Sequence, residues 1–256
     1  MKLGLTEKRV LVTGSSKGIG LTIAKGFLRE GAKVVLNSRK QEELDECKEN
    51  LIKGNTSSQL LPIACDFTQH EDIIALKKQI IQEWNGIDII VANVGSGKSV
   101  PDAIPEVKHW DRVFSLNFDS ALYTAREFYP LLQSSKGSLI FISSITGMEA
   151  LGAPTDYSVA KTAVIAFAKN LARKIASEGI RVNCIAPGNI YFEGGSWDEK
   201  IKSDPQKIKH LIKNSVPMQR FGKPEEVAYA IIYLLSDASS WVTGSNLLID
   251  GGFTLL

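Results

Sequence analysis

The chain has 256 residues, 44% of them hydrophobic and 23% charged, and its 30 Lys and Arg nearly balance its 28 Asp and Glu. These values are typical of a soluble globular protein and exclude a disordered chain or a strongly basic nucleic-acid-binding protein. The three separated cysteines predict neither a disulfide framework nor a metal site. With no long apolar run and no signal-peptide core, we expect a cytoplasmic protein without a membrane partner.

Short apolar runs alternate with segments of 3.6-residue periodicity along almost the whole chain. Such runs predict strands buried on both faces, and the periodic segments predict helices between them. The predicted strands are Arg9–Thr13, Lys33–Asn37, Leu60–Cys65, Ile87–Val91, Ser138–Ile142, Arg181–Ala186 and Asn246–Asp250. The predicted helices are Ile19–Glu30, Gln41–Lys53, Glu71–Trp84, Trp110–Gln133, Tyr157–Ser177 and Glu225–Ser236. This order predicts one domain over residues 1–256, a doubly wound Rossmann-type α/β fold with a seven-stranded parallel sheet and helices on both faces.

A glycine-rich loop follows the first predicted strand, with the sequence Thr13-Gly14-Ser15-Ser16-Lys17-Gly18-Ile19-Gly20. Gly14 permits a tight turn, while Gly18 and Gly20 let the backbone approach a pyrophosphate and let the next helix pack on the sheet. The start of that helix directs free N–H groups toward an anion. A glycine-rich turn alone is also compatible with an ordinary loop, but its place between a strand and a helix favours a dinucleotide site.

Tyr157 and Lys161 lie one turn apart on a predicted helix, and Ser143-Ser144 follows the preceding predicted strand. A free tyrosine has a pKa near 10, and a neighbouring ammonium would lower that pKa toward the pH at which acid–base catalysis is effective. Ser144 can bind a substrate oxygen, and Ser143 is the alternative serine. On the four-residue spacing alone, an exposed surface pair would be the commoner outcome.

The glycine spacing G-x-x-x-G-x-G, the Tyr-x-x-x-Lys pair and the preceding serine resemble the short-chain dehydrogenase/reductase family over nearly the whole chain. The resemblance implies a nicotinamide-dependent oxidoreductase with the catalytic set Asn117, Ser144, Tyr157 and Lys161. In that set Asn117 resembles the residue that holds a proton-relay water beside the lysine.

The resemblance also implies cofactor contacts after several strands. Asp66 would meet the adenine, and Asn93 and Gly95 remain from the family's Asn-Asn-Ala-Gly turn, although Asp66 alone is equally explained as a turn former. Pro187-Gly188 and the Ile190 backbone would border the nicotinamide. The implied cofactor-binding residues are Gly14, Ser16, Lys17, Gly18, Ile19, Gly20, Ser38, Arg39, Asp66, Phe67, Asn93, Gly95, Tyr157, Lys161, Pro187, Gly188 and Ile190.

The end of the second predicted strand indicates which dinucleotide binds. An acidic residue there would accept the ribose 2′-hydroxyl, but this chain has Ser38-Arg39 instead. Arg39 can bind a 2′-phosphate with its planar donors, and Lys17 carries a second positive charge in the glycine loop. A solvated basic turn is the alternative, and we predict NADP(H).

The segment 189–223 interrupts the alternation and predicts a substrate lid. Where the family usually has a cofactor-contacting threonine, this chain has Phe192, and Trp197 follows in the same segment. Both aromatic side chains are candidate walls of the substrate pocket, with packing against the core as the equal alternative.

These features predict reduction of a ketone or aldehyde by NADPH, and the nearest resemblance is to 3-oxoacyl-[acyl-carrier-protein] reductases. An NAD(P)-dependent dehydrogenase of a sugar, steroid or small alcohol would use the same residues. A protein that senses NADP(H) without turnover is the candidate from another class. The resemblance further implies a small-molecule substrate and a homo-oligomer, either a dimer or a tetramer.

Overall fold

A seven-stranded, fully parallel sheet forms the centre of the computed structural model, which describes residues 2–52 and 59–255. The strands are β1 Arg9–Val12, β2 Lys33–Ser38, β3 Leu60–Ala64, β4 Ile89–Ala92, β5 Ser138–Ile142, β6 Arg181–Pro187 and β7 Asn246–Ile249. They lie in the order β3-β2-β1-β4-β5-β6-β7. The predicted doubly wound sheet is confirmed, and each predicted strand is present with its ends moved by at most two residues.

Nine α-helices connect and cover these strands within the described residues. They are α1 Gly18–Arg29, α2 Gln41–Ile52, α3 His70–Trp84, α4 Val107–Phe114, α5 Ser120–Ser135, α6 Thr155–Ile175, α7 Ser196–Ser203, α8 Pro205–Ser215 and α9 Pro224–Leu235. The predicted end of the second helix at Lys53 lies outside the described residues.

Two apolar layers hold the helices against the sheet. Successive strand residues point to opposite faces, so Val10 packs on one side of the sheet and Leu11 on the other. The first layer includes Phe27 of α1 and Ile231 of α9, and the second includes Phe128 of α5. Because the sheet is covered on both faces, most residues of the strands are apolar.

The long helix predicted over Trp110–Gln133 is instead three pieces. Helix α4 passes through a π-helical turn, Ser115–Asp119, into α5. A π turn inserts one extra residue into the helical repeat, and a 3.6-residue hydrophobic pattern does not predict such an insertion. Asn117 occupies this turn, so the helix is irregular at a predicted catalytic residue.

The segment 189–223 contains α7 and α8 and a small apolar cluster of its own. Ile208, Ile212 and Val216 are buried in this cluster, and Trp197 packs against it. Trp197 also contacts Phe221, with ring centroids 5.4 Å apart. Trp197 therefore packs within the segment itself, and not against the two apolar layers of the sheet.

The strand order reverses between β1 and β4, so the loops that leave these strands diverge and create a crevice at their carboxyl ends. At this edge, β1 leads into the glycine loop, β4 into the turn 93–95 and β5 into Ser143-Ser144. Pro187-Gly188 lies at the end of β6. Among the described helices, none is both long and apolar enough to cross a membrane.

Candidate active site

The glycine loop is fixed by a buried polar network that links it to β2. The Gly14 N–H donates to Asn37 Oδ1 at 2.9 Å, and the Asn37 N–H donates to Ser15 Oγ at 2.8 Å. The Asn37 side-chain amide also donates to the Ile63 and Cys65 carbonyls, each at 3.2 Å. No role was predicted for Asn37 or Ser15 from the sequence. An asparagine within a buried strand indicates a hydrogen-bonded side chain, and this signal could have identified Asn37.

A positive φ angle explains one glycine of this loop, and close packing explains another. Gly14 has φ +63°, in the region that favours glycine. A methyl group added at Gly20 would press on the Gly14 carbonyl and lie 2.7 Å from Asn93 Nδ2. The Asn93 amide in turn donates to the Thr13 carbonyl at 2.9 Å. Asn93 therefore joins the turn after β4 to the glycine loop.

Helix α1 begins directly after this loop with its end open. Lys17, which precedes the helix, is extended, and its side chain makes no capping hydrogen bond. The first backbone N–H groups of α1, from Gly18 onward, thus lack a side-chain acceptor and present a partial positive charge. This arrangement, with the tight glycine packing, fits the pyrophosphate of a dinucleotide.

Phe192 lies against this loop. A methyl group added at Gly18 would lie 2.7 Å from the Phe192 ring, and one added at Gly195 would lie 2.8 Å from it. The ring is thus between the glycine loop and the start of the lid, at the position where the family has a threonine. The sequence did not decide where the Phe192 side chain lies, and in the structure it faces the predicted cofactor site.

Of the predicted 2′-phosphate residues, Ser38 ends β2, Arg39 follows it, and Lys17 directly precedes α1. Lys17 and Arg39 are exposed, and Ser38 is buried. The Ser38 hydroxyl contacts the Lys40 carbonyl at 3.0 Å and Glu43 Oε2 at 3.2 Å. Glu43 was not considered from the sequence, and its carboxylate introduces a negative charge beside the predicted phosphate position.

Asp66 and Phe67 have local structural roles in the fold. Asp66 Oδ1 accepts from both the backbone and the hydroxyl of Thr68, at 2.9 and 2.8 Å, which is the turn-forming arrangement. Phe67 is buried in the apolar layer beneath α3 and α5. Its side chain thus points into the core, and any adenine contact at this position would come from the backbone or from Asp66.

The turn after β6 is packed against the end of β7. The Gly188 N–H donates to the Ile249 carbonyl at 2.9 Å, and a methyl group at Gly188 would lie 2.8 Å from Asp250. Ile190 is buried and forms a parallel bridge with Gly222. Pro187 ends β6, so the three predicted residues lie together at the carboxyl edge.

The two candidate serines have different partners. The Ser143 hydroxyl donates to the Lys161 carbonyl at 2.7 Å and so attaches β5 to α6. The Ser144 hydroxyl is a hydrogen-bond partner of Tyr157, and it also accepts from the Thr146 hydroxyl at 3.0 Å. The geometry thus favours Ser144 over Ser143 as the residue beside the phenol.

Lys161 is buried, with its Nζ 5.8 Å from the centre of the Tyr157 ring. Its ammonium donates to the Ile142 carbonyl at 2.9 Å. Burial lowers the pKa of Lys161 from 10.5 to about 8, against a smaller opposing effect of Cys184. The lysine therefore carries its charge at neutral pH but releases the proton more readily than an exposed lysine.

The pKa of Tyr157 departs from the prediction. Burial raises this pKa above its usual value, and the hydrogen bond from Ser144 only partly offsets the effect. The expectation of a lowered pKa is therefore wrong, because burial disfavours the phenolate more than the Ser144 hydrogen bond favours it. Tyr157 is accordingly a neutral phenol at neutral pH, which is the form that donates a proton.

Asn117 and Lys161 both lie close to Gly95. Asn117 Oδ1 accepts from the Ser96 N–H at 3.0 Å, and Asn117 Nδ2 donates to the carbonyls of Ser96 and Val113 at 3.1 and 2.9 Å. A methyl group at Gly95 would lie 2.7 Å from Asn117 Oδ1 and 2.9 Å from Lys161 Nζ. The structure therefore brings all four predicted catalytic residues to one site.

Across residues 2–52 and 59–255, no group of three or more His, Cys, Asp or Glu side chains has an arrangement that would hold a metal ion. Cys47, Cys65 and Cys184 are all buried free thiols. Burial raises the pKa of Cys65 and of Cys184 to about 12, so both thiols are protonated at neutral pH.

Comparison with known proteins identifies the family. Residues 14–254 match the family model described as enoyl-(acyl carrier protein) reductase. The chain is 34% identical to the 3-oxoacyl-[acyl-carrier-protein] reductase of Chlamydia trachomatis, over 97% of this chain and 98% of that protein. It is 35% identical to glucose 1-dehydrogenase of Gluconobacter oxydans, over 97% and 92% of the two chains.

A solved structure is also similar over its full length. L-sorbose reductase from Gluconobacter frateurii, complexed with NADPH and L-sorbose, superposes with a TM-score of 0.92 at 31% identity, covering 99% of this chain and 98% of that one. The fold, the site and these relatives agree, and the chain belongs to the short-chain dehydrogenase/reductase family of oxidoreductases.

Proposed function

We propose that this protein is an NADP(H)-dependent reductase that converts a ketone or aldehyde to an alcohol. The observation that carries the proposal is the meeting of Ser144, Tyr157 and Lys161 at the sheet edge that also bears the glycine loop. An acid–base group beside an anion-binding helix start is the arrangement that hydride transfer to a carbonyl requires.

Each residue of the set has a defined task in this reaction. Bound NADPH supplies the hydride that reaches the carbonyl carbon. The Ser144 hydroxyl binds the carbonyl oxygen, and the Tyr157 hydroxyl donates its proton to that oxygen as negative charge develops there. Lys161 holds a positive charge near the phenol and stabilises the phenolate that remains. Asn117 holds the backbone beside Lys161 in place.

The cofactor-binding residues of the proposal are those of the glycine loop and of the turns after β2, β3, β4 and β6. The loop would hold the pyrophosphate through Gly14, Ser16, Lys17, Gly18, Ile19 and Gly20. Tyr157, Lys161, Pro187, Gly188 and Ile190 would lie on the nicotinamide side. Asn93 supports that side by bonding the start of the glycine loop, and Gly95 leaves room for the Lys161 side chain.

The choice of NADP(H) depends on Arg39. Arg39 is exposed and directly follows Ser38, and among the described residues it makes no ion pair, so its guanidinium is available to a 2′-phosphate. Glu43 opposes this choice by its charge, although its carboxylate is itself contacted by Ser38 and Lys40. The similar L-sorbose reductase was solved with NADPH, which supports the same assignment.

The substrate is a small carbonyl compound, with 3-oxoacyl groups and ketoses as the two classes suggested by the relatives. We assign segment 189–223 as the lid that selects between them. Oxidation of a sugar or other alcohol is the second candidate function, because one relative is a glucose dehydrogenase. A sensor without turnover is disfavoured, since it would not need an intact catalytic set.

We further propose a cytoplasmic homo-oligomer, a dimer or a tetramer. The three free thiols support a reducing compartment. The edge strand β7 exposes the apolar side chains of Leu247 and Leu248, a surface suited to a second copy. Light scattering of the purified protein measures the assembly directly, and a monomer at micromolar concentration would contradict the proposal.

The experiment that tests the function is a substrate panel followed by NADPH absorbance. The panel contains L-sorbose, other ketoses and aldehydes, and a 3-oxoacyl thioester, and the reverse reaction is run with NADP⁺ and glucose. We expect carbonyl-dependent NADPH oxidation that Tyr157→Phe abolishes. Oxidation that survives Tyr157→Phe would contradict the catalytic assignment.

A further inference from the structure

The segment Gly95–Ser99, which follows β4, runs along the wall of the active site and is called the wall segment below. Its first two residues are held by the catalytic set. Gly95 fits tightly between Asn117 and Lys161, and the Asn117 side chain bonds both the N–H and the carbonyl of Ser96. The wall segment is therefore attached at this end to two of the four catalytic residues.

The middle of the wall segment faces the phenol and the lid. A methyl group at Gly97 would lie 3.8 Å from Cζ of Tyr157, in ordinary contact. Lys98 forms an ion pair with Glu199 of α7 at 2.7 Å. Both of these charged side chains are exposed, so this pair contributes little to stability. The wall segment nevertheless lies between the lid and Tyr157.

The far end of the wall segment is bonded to a buried carboxylate. The Ser99 hydroxyl donates to Asp156 Oδ2 at 2.5 Å, and the N–H of Tyr157 donates to Asp156 Oδ1 at 2.7 Å. Asp156 is completely buried, and both of its oxygens are engaged by uncharged donors. Burying a carboxylate without a cation costs free energy, which the start of α6 offsets only in part.

We propose that Ser99 and Asp156 are positioning residues that fix the first turn of α6, and with it the Tyr157 hydroxyl, against the wall segment. The Asp156 carboxylate joins the backbone of Tyr157 to a loop whose other end is bonded to Asn117. Tyr157 is thus held from its backbone side, while Ser144 contacts its hydroxyl. The inference rests on the proposed role of Tyr157 as proton donor.

Loss of the Ser99 hydroxyl has a specific consequence in this arrangement. Asp156 Oδ2 loses its donor, so the carboxylate turns toward water and the first turn of α6 loosens. A displacement of about 1 Å at a reacting group lowers a rate by about 100-fold. We therefore expect the Ser99→Ala variant to lose between about tenfold and 100-fold in kcat, with NADPH affinity changed less than about twofold.

Hydrogen exchange tests the tether independently of turnover. The Ser99→Ala variant should exchange faster over residues 155–162, and the Ser99→Thr variant, which keeps the hydroxyl, should exchange at the wild-type rate. The matched control is Ser239→Ala, which removes another serine hydroxyl that bonds the Leu234 carbonyl at 2.8 Å, far along the chain from this site. That control should leave residues 155–162 unchanged.

The outcomes separate this inference from the proposed function. Faster exchange in Ser99→Ala, together with a fall in kcat that Ser99→Thr recovers, supports the positioning role. Unchanged exchange overturns it, as does a kcat equal to that of the Ser239→Ala control. Turnover that survives Tyr157→Phe refutes the proposed function instead, while the exchange of residues 155–162 still decides whether the tether exists.

Discussion

Replacing the buried Lys161 by methionine should make the protein more stable and inactive. The side chain is 3% exposed, and burial lowers its pKa from 10.5 to about 8. This shift corresponds to about 3 kcal/mol of unfavourable free energy for holding the ammonium in the fold at neutral pH. Methionine fills a similar volume without a charge, but it leaves the Ile142 carbonyl without its donor, at a cost of about 1 kcal/mol. The expected net gain at pH 7 is about 2 kcal/mol.

The same shift predicts how this gain depends on pH. Below pH 8 both the folded and unfolded chains hold the Lys161 proton, so the wild type bears the full desolvation penalty. Between about pH 8 and 10.5 the folded chain releases this proton while the unfolded chain keeps it. The stability contribution of Lys161 therefore rises with pH, by about 2 kcal/mol from pH 7 to 9.5.

Urea unfolding of both proteins at pH 7 and pH 9.5, at one protein concentration, measures this effect. The neighbouring Cys184 stays protonated in this range, because its pKa is about 12. Lys161→Met should be more stable at pH 7 and close to the wild type at pH 9.5. A difference that is the same at both pH values, or a variant that is less stable at both, would refute the argument from burial.

Four further variants test the cofactor site through NADPH and NADH binding. Arg39→Asp should weaken NADPH binding at least tenfold more than NADH binding. Glu43→Gln should strengthen NADPH binding, because it removes a negative charge close to Ser38. Equal changes in the affinities for both cofactors would exclude a 2′-phosphate contact. Gly20→Ala should weaken both cofactors and lower stability by about 1–3 kcal/mol, because the methyl group meets Gly14, and a stable variant with wild-type affinity would contradict this packing argument. Phe192→Thr should strengthen NADPH binding severalfold by removing the ring from the glycine loop, and weaker binding would show that the ring supports the cofactor instead.

The fold and the placing of Tyr157 beside Lys161 could be predicted because both depend on local sequence. Each strand is a mostly apolar run, and the alternation of strands and helices indicates a parallel sheet. The pair Tyr157 and Lys161 lies within one helix, so its geometry follows from the four-residue spacing. Ser144 was preferred to Ser143 from its spacing to Tyr157, and the structure adds that the two residues meet different partners across space.

Contacts between distant segments could not be predicted. Asn37 bonds the glycine loop, and Ser99 bonds Asp156, across long stretches of sequence that carry no pattern linking them. The direction of the Tyr157 pKa shift depends on how much protein surrounds the phenol, which only the packed structure shows. The position of Glu43 was not predicted either, because the first turn of α2 brings its carboxylate next to the Ser38 hydroxyl.

The proton-donor role of Tyr157 is the central claim, and comparing NADPH oxidation by the wild type and by Tyr157→Phe tests it most directly. Both proteins are first shown to bind NADPH equally by fluorescence, so that any change reflects chemistry. With the best carbonyl of the panel, we expect the variant to lose a factor of about 100 to 10,000 in kcat. A Tyr157→Phe enzyme that binds NADPH and reduces the same carbonyl at the wild-type rate would contradict the account.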